Sequence, residues 1–240
     1  MSNIKEKSTP VTKISTPPEI VKPSPSNSLR SKPSKTYRVY ETRWVLLANA
    51  MVLVAASELT FFTFPPITYL AARYLEEDVK TIQFLTTIFI ISSLPWAILG
   101  TWLIDAYGIR ATLFLSGGSN ALGCIIRAVG VAYPNENGSR LICVLIGQII
   151  SSCSVAALLV PTKLAAMWFP ESQRAKANFF ATVSNPIGVL IAMFFIPIIV
   201  ENRSEKVELI LILTCFPPIM GLIMTTEVYQ IQKIFVNLSV

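Results

Sequence analysis

Six stretches of this 240-residue chain are each about twenty or more residues long and hold at most one Asp, Glu, Lys or Arg. They run from about Trp44 to Leu70, Thr81 to Ile104, Ala111 to Tyr133, Leu141 to Trp168, Asn178 to Val200 and Val207 to Thr226. About twenty apolar residues in a helix cross the roughly 30 Å hydrocarbon layer of a bilayer, and a helix satisfies its own backbone there. Spanning strands would be half as long and would alternate strictly in polarity. The expected fold is therefore an all-α membrane protein, a six-transmembrane-helix bundle over residues 44–226, with residues 227–240 a cytoplasmic C-terminal segment.

Composition excludes several function classes. Charged residues make up 14 % of the chain, against about 25 % in soluble domains. There is no histidine, which removes histidine bases, triads and metal or haem ligation. Cys124, Cys143, Cys153 and Cys215 form no Cys-x-x-Cys pair and read as small residues in helix interfaces. No Gly-x-x-x-x-Gly-Lys-Ser/Thr loop occurs. The chain reads as neither an enzyme nor a cofactor protein.

The charges that remain are uneven. Nine of the twenty Lys and Arg residues precede Trp44, among Pro, Ser and Thr. Residues 1–43 therefore read as a disordered basic tail on the cytoplasmic side of the membrane. No aromatic residue interleaves with its charges before Tyr37, so nucleic acid is not an expected partner. MSNIKEKSTP lacks an apolar core, so the first span is expected to insert uncleaved. With both termini cytoplasmic, fourteen basic residues fall inside and five outside. Asn137 and Asn202 head Asn-x-Ser triplets in outer loops, and Asn237 heads one inside.

Short motifs carry more than the spans do. Between the second and third spans stands Thr101-Trp102-Leu103-Ile104-Asp105-Ala106-Tyr107-Gly108-Ile109-Arg110. A tight inner turn at Gly108 would let Asp105 and Arg110 pair and act as a gate. This resembles the helix-two to helix-three loop of the major facilitator superfamily. Further on come Pro161-Thr162-Lys163-Leu164-Ala165-Ala166-Met167-Trp168-Phe169-Pro170, Arg174-Ala175-Lys176-Ala177-Asn178 and Ser184-Asn185-Pro186-Ile187-Gly188. These are similar to the solute carrier family 49 transporters, the feline leukaemia virus subgroup C receptor-related group. The resemblance covers about residues 38–226. It implies the N-terminal half of a twelve-helix major facilitator fold, with a solute held between two six-helix halves. It also implies alternating access, and a plasma-membrane, multi-pass location.

Glu58 is the leading site residue. It lies mid-span, where a lone carboxylate costs several kcal/mol. Phe61, Phe62 and Pro65 follow on roughly the same helical face. A carboxylate beside aromatic rings suits a cation. Asn185, before Pro186, adds an amide and a bend in the fifth span. Relatives that carry choline-like amines place a Trp where Phe61 stands and use a Gln in helix four, where this chain reads Ser151-Ser152-Cys153-Ser154-Val155. Arg127 reads as an outer-end cation that snorkels. The expected function is secondary transport of a small organic solute, cationic or zwitterionic. Its partners would be the solute, the lipid bilayer and a second six-helix half. The alternative is a truncated, non-transporting form that pairs with or regulates full-length relatives.

Overall fold

The computed structural model describes residues 42–132, 139–201 and 203–238. Residues 1–41 of the tail, the triplets at Asn137 and Asn202, and the side chain of Asn237 lie outside the described residues. The rest folds into helices α1 (Thr42–Phe61), α2 (Thr68–Leu75), α3 (Val79–Ala132), α4 (Ser139–Ser152), α5 (Val160–Trp168), α6 (Glu171–Val200), α7 (Lys206–Leu213) and α8 (Phe216–Leu238). Among the described residues there are no strands. Among the described residues, five helical stretches are long and apolar enough to cross a membrane: Arg43–Leu75, Val79–Ala132, Ser139–Trp168, Glu171–Val200 and Lys206–Val228.

The interruptions fall where the chain loses backbone donors. After α1, Pro65 and Pro66 have no N–H to continue the helical ladder, and a 3-10 turn spans Pro65–Ile67. The Thr68 hydroxyl then donates to the carbonyls of Phe64 and Pro65 at 3.2 and 3.0 Å. A second 3-10 turn, Cys153–Ala157, separates α4 from α5, and Pro161 sits in the first turn of α5. Thr214 and Cys215 form the turn that precedes Phe216-Pro217-Pro218. The last helix runs on through Leu238, within the C-terminal segment. One sequence reading is corrected at the other end. Arg43, read as part of the tail, is buried in the bundle, where its Nη2 donates to Gln173 Oε1 at 2.6 Å and its guanidinium lies over the Phe169 ring.

At about 1.5 Å per residue, the 54 residues of α3 would reach about 80 Å if straight, well over twice a bilayer core. The run is broken at Gly108, whose φ of 84° and ψ of 170° are not helical. Residues with a side chain are almost excluded from that region. A Cβ there would meet no atom within 4 Å, so any cost of adding one is purely conformational. Gly108→Ala should therefore lower stability by about 1–3 kcal/mol. Thermal unfolding in lipid nanodiscs reads this, with Gly118→Ala, where a Cβ also meets open space, as the neutral control.

Two apolar clusters fill the bundle. One gathers Phe64, Ile82, Leu85, Val131, Val144, Ala192 and Ile196, and the other gathers Leu53, Leu113, Ala157, Leu164 and Ala181. The stretch between the two clusters is polar on each of four chain segments: Ser57 and Thr60 on α1, Ser116, Asn120 and Arg127 on α3, Gln148, Ser151, Ser152 and Ser154 after Val144, and Ser184 and Asn185 on α6. These four segments form a polar waist. It is held by Ser57 Oγ and Ser154 Oγ at 2.5 Å and by Ser116 Oγ donating to Ser154 O at 2.9 Å. Lipid gives apolar helices little reason to associate, so close packing and hydrogen bonds across helices hold such a bundle together. Gly123 and Gly147 permit a close approach of α3 and α4, because a Cβ on either would lie 2.5–2.6 Å from the other's carbonyl oxygen. Apolar side chains such as Leu94, Ile98 and Trp102 on α3 and Phe194, Phe195 and Ile198 on α6 stay exposed, as lipid-facing surfaces do.

Candidate functional site

Glu58 lies one turn before the end of α1, in the polar waist, and is half-buried. Asn185 of α6 donates from Nδ2 to Glu58 Oε1 at 2.7 Å. Two residues singled out separately from the sequence are thus in direct contact. Gly188, one turn on from Asn185, makes that contact possible: a Cβ there would collide with Ala55 O and come within 2.8 Å of Glu58 Cβ. The two helices approach backbone to backbone beside the carboxylate.

Aromatic residues follow Glu58 within one turn on α1. Phe61 stacks on Phe89 of α3, with centroids 5.0 Å apart and planes 25° apart, and meets Phe62 edge-on at 4.4 Å. Phe61 and Phe62 were expected from the sequence and Phe89 was not, because one phenylalanine in an apolar span carries no positional signal. Among the described residues, Glu58 makes no ion pair. The arrangement is a carboxylate with an amide donor on one side and, one turn along α1, the Phe61–Phe89 stack.

At the other candidate, the inner turn, Asp105 forms an ion pair with Lys163 of α5. The sequence reading offered Arg110 as its partner; Lys163, 58 residues downstream, takes that role. Asp105 is 65 % exposed and Lys163 32 %, so the pair adds little stability and serves better as a contact that can break. Gly108 and Arg110 flank it at the break in α3.

Arg127 corrects the sequence reading most sharply. It does not snorkel but is 0 % exposed. Its Nη1 donates to Gln148 Oε1 at 2.7 Å and to Thr60 O at 3.4 Å, and its Nη2 to Cys124 Sγ at 3.3 Å and Thr214 Oγ1 at 3.5 Å. Gln148 Nε2 donates in turn to Leu85 O at 3.4 Å. One guanidinium thereby joins α1, α3, α4 and the turn before α8. It makes no ion pair among the described residues. Cys124, read as a plain apolar filler, also meets Thr60 Oγ1 at 3.4 Å. Among the described residues, no three His, Cys, Asp or Glu side chains are grouped to hold a metal.

An all-helical apolar bundle with a polar waist fits a membrane transporter family, and the sequence model of the Major Facilitator Superfamily matches residues 36–227. The chain belongs to the major facilitator superfamily. It is a multi-pass membrane protein of a transporter family and not an enzyme. Solute carrier family 49 member A3 of Danio rerio is 31 % identical over 197 residues, which are 81 % of this chain and 41 % of that protein. The protein of the same name in Xenopus tropicalis is 32 % identical over 196 residues, 79 % of this chain and 40 % of its own length. A choline/ethanolamine transporter of Danio rerio is 22 % identical over 186 residues, 77 % and 38 % of the two chains. The solute carrier family 49 resemblance in the motifs is borne out. The chain spans about two-fifths of the length of these relatives.

Proposed function

We propose that this chain forms half of an alternating-access transporter for a small cationic or zwitterionic organic solute. The observation that carries the reading is the Asn185–Glu58 hydrogen bond in the polar waist, beside the Phe61–Phe89 stack. A carboxylate attracts the positive nitrogen and ring faces favour it through their quadrupole. The names of the choline/ethanolamine relatives point to the same chemical class.

In this reading the break at Gly108 divides α3 into two crossings, which gives six spans corresponding to the N-terminal half of the twelve-helix fold. Both ends lie in the cytoplasm, and the plasma membrane is the proposed location. A second six-helix half supplies the facing wall of the solute site. Phe62 and Asn185 complete the near wall, while Asp105, Lys163, Gly108 and Arg110 form the inner gate, closed when the ion pair is made.

Uptake of radiolabelled choline and ethanolamine by cells expressing the chain tests this reading. Glu58→Gln keeps shape and hydrogen bonding but removes the charge, and should lower uptake about tenfold or more. Unchanged uptake with Glu58→Gln would remove Glu58 from the solute site.

A further inference from the structure

A carboxylate within a bilayer is held either by a cation or by a proton, because the bare ion is costly there. Glu58 has no cation among the described residues. Its one hydrogen bond comes from the Asn185 amide, which leaves Glu58 Oε2 and Asn185 Oδ1 without a hydrogen-bond donor. A proton on the carboxyl group would supply what is missing. The acid O–H would donate to Asn185 Oδ1 while Asn185 Nδ2 goes on donating to Oε1, forming a neutral acid–amide pair with two hydrogen bonds.

Among the described residues, no cation on the surrounding elements forms an ion pair with Glu58. Between Lys176 and Glu201, α6 has no ionisable side chain. From the 3-10 turn after α4 the nearest ionisable group is Cys153, beside the Ser154 that binds Ser57. From α3 it is Arg127 and Cys124, which bind Thr60; Arg127 Nη1 and Nη2 donate to Gln148, Thr60, Cys124 and Thr214, its Nε has no hydrogen-bond partner among the described residues, and it makes no ion pair with Glu58. On α5 it is Lys163, paired to Asp105, and on α7 it is Glu208, which accepts from Tyr74. Cys215, in the turn before α8, donates to Leu211 O, and α8 itself carries Glu227.

We infer that Glu58 is an exchange site at which one proton and one monovalent organic cation compete, so that the carboxyl group is always neutralised by one or the other. The inference rests on the cationic-solute reading above and adds the coupling ion. When solute enters, the Glu58 O–H bond breaks, its electron pair stays on the carboxylate and the proton passes to water on that side. When solute leaves on the other side, a proton from that side takes its place. One positive charge moves each way, so the cycle is electroneutral.

The test uses the full chain in lipid nanodiscs, with choline and ethanolamine as probes and infrared detection of the protonated carboxyl carbonyl. A band that appears on acidification, disappears on adding probe, persists in Glu58→Asp and is absent in Glu58→Gln is the expected result. Probe affinity should fall about tenfold for each pH unit below the midpoint of that band, because one proton is displaced per cation bound. Probe binding that is independent of pH, with no Glu58-dependent band, overturns proton exchange and leaves the cation site standing. A band that titrates while neither probe binds at any pH overturns the cation reading itself and the exchange with it.

Discussion

Replacing Gln148 by leucine is expected to destabilise the bundle by about 3–5 kcal/mol, the cost of leaving a buried charge without its principal partner. Gln148 Oε1 is the shortest acceptor of Arg127 at 2.7 Å, and the other contacts of the guanidinium are a carbonyl, a thiol and a hydroxyl at 3.3–3.5 Å. Leucine fills the same volume but accepts nothing, and no water reaches a residue that is 0 % exposed. Arg127→Met is expected to cost less. It removes the charge itself, and the one short contact it gives up is to Gln148 Oε1 at 2.7 Å, a neutral acceptor whose loss is worth about 1–3 kcal/mol. The double variant Arg127→Met/Gln148→Leu should be more stable than Gln148→Leu alone, because both halves of the polar pair are gone. Thermal unfolding of the four proteins in nanodiscs gives the coupling directly. Additive losses would mean that Arg127 and Gln148 act separately.

The second large effect is expected at Gly188. A methyl group there overlaps the backbone oxygen of Ala55 and crowds Glu58 Cβ. Backbone does not yield as a side-chain tip does, so α6 must move away from α1. Overpacking of this kind costs about 1–3 kcal/mol. The functional loss should be larger than the stability loss, because the displaced helix carries Asn185 away from Glu58. Gly188→Ala is therefore expected to lower choline uptake as far as Asn185→Ala does, while Gly118→Ala leaves uptake unchanged. Wild-type uptake from a folded Gly188→Ala protein would show that the close approach of these helices is not needed for transport.

The spans were legible because lipid demands long uncharged runs, and nothing else in a sequence produces them so consistently. Glu58 and Asn185 were legible one at a time, each as a polar group where polar groups are costly. Their contact was not, since 127 residues separate them and only the packing at Gly188 brings them together. Arg127 was misread because its place in the third span suggests an escape to the interface. That escape is closed by α4, which the Gly123–Gly147 contact draws against α3 and which presents Gln148 to the guanidinium. The contact of Asp105 with Lys163 was out of reach for a related reason. A cation five residues away is visible along the chain, whereas Lys163 reaches it only through the fold.

The break in α3 is a single residue long. Residues 79–107 and 109–132 are therefore joined without slack, and a tilt of one segment cannot be absorbed by a loop before it reaches the other. Asp105 stands just before that joint and is fastened to α5 through Lys163, while Arg127 lies well beyond it and is fastened to α4. The two segments are thus joined rigidly through Gly108, and in the gate proposed above the release of Asp105 by Lys163 is the movement that would let them tilt together.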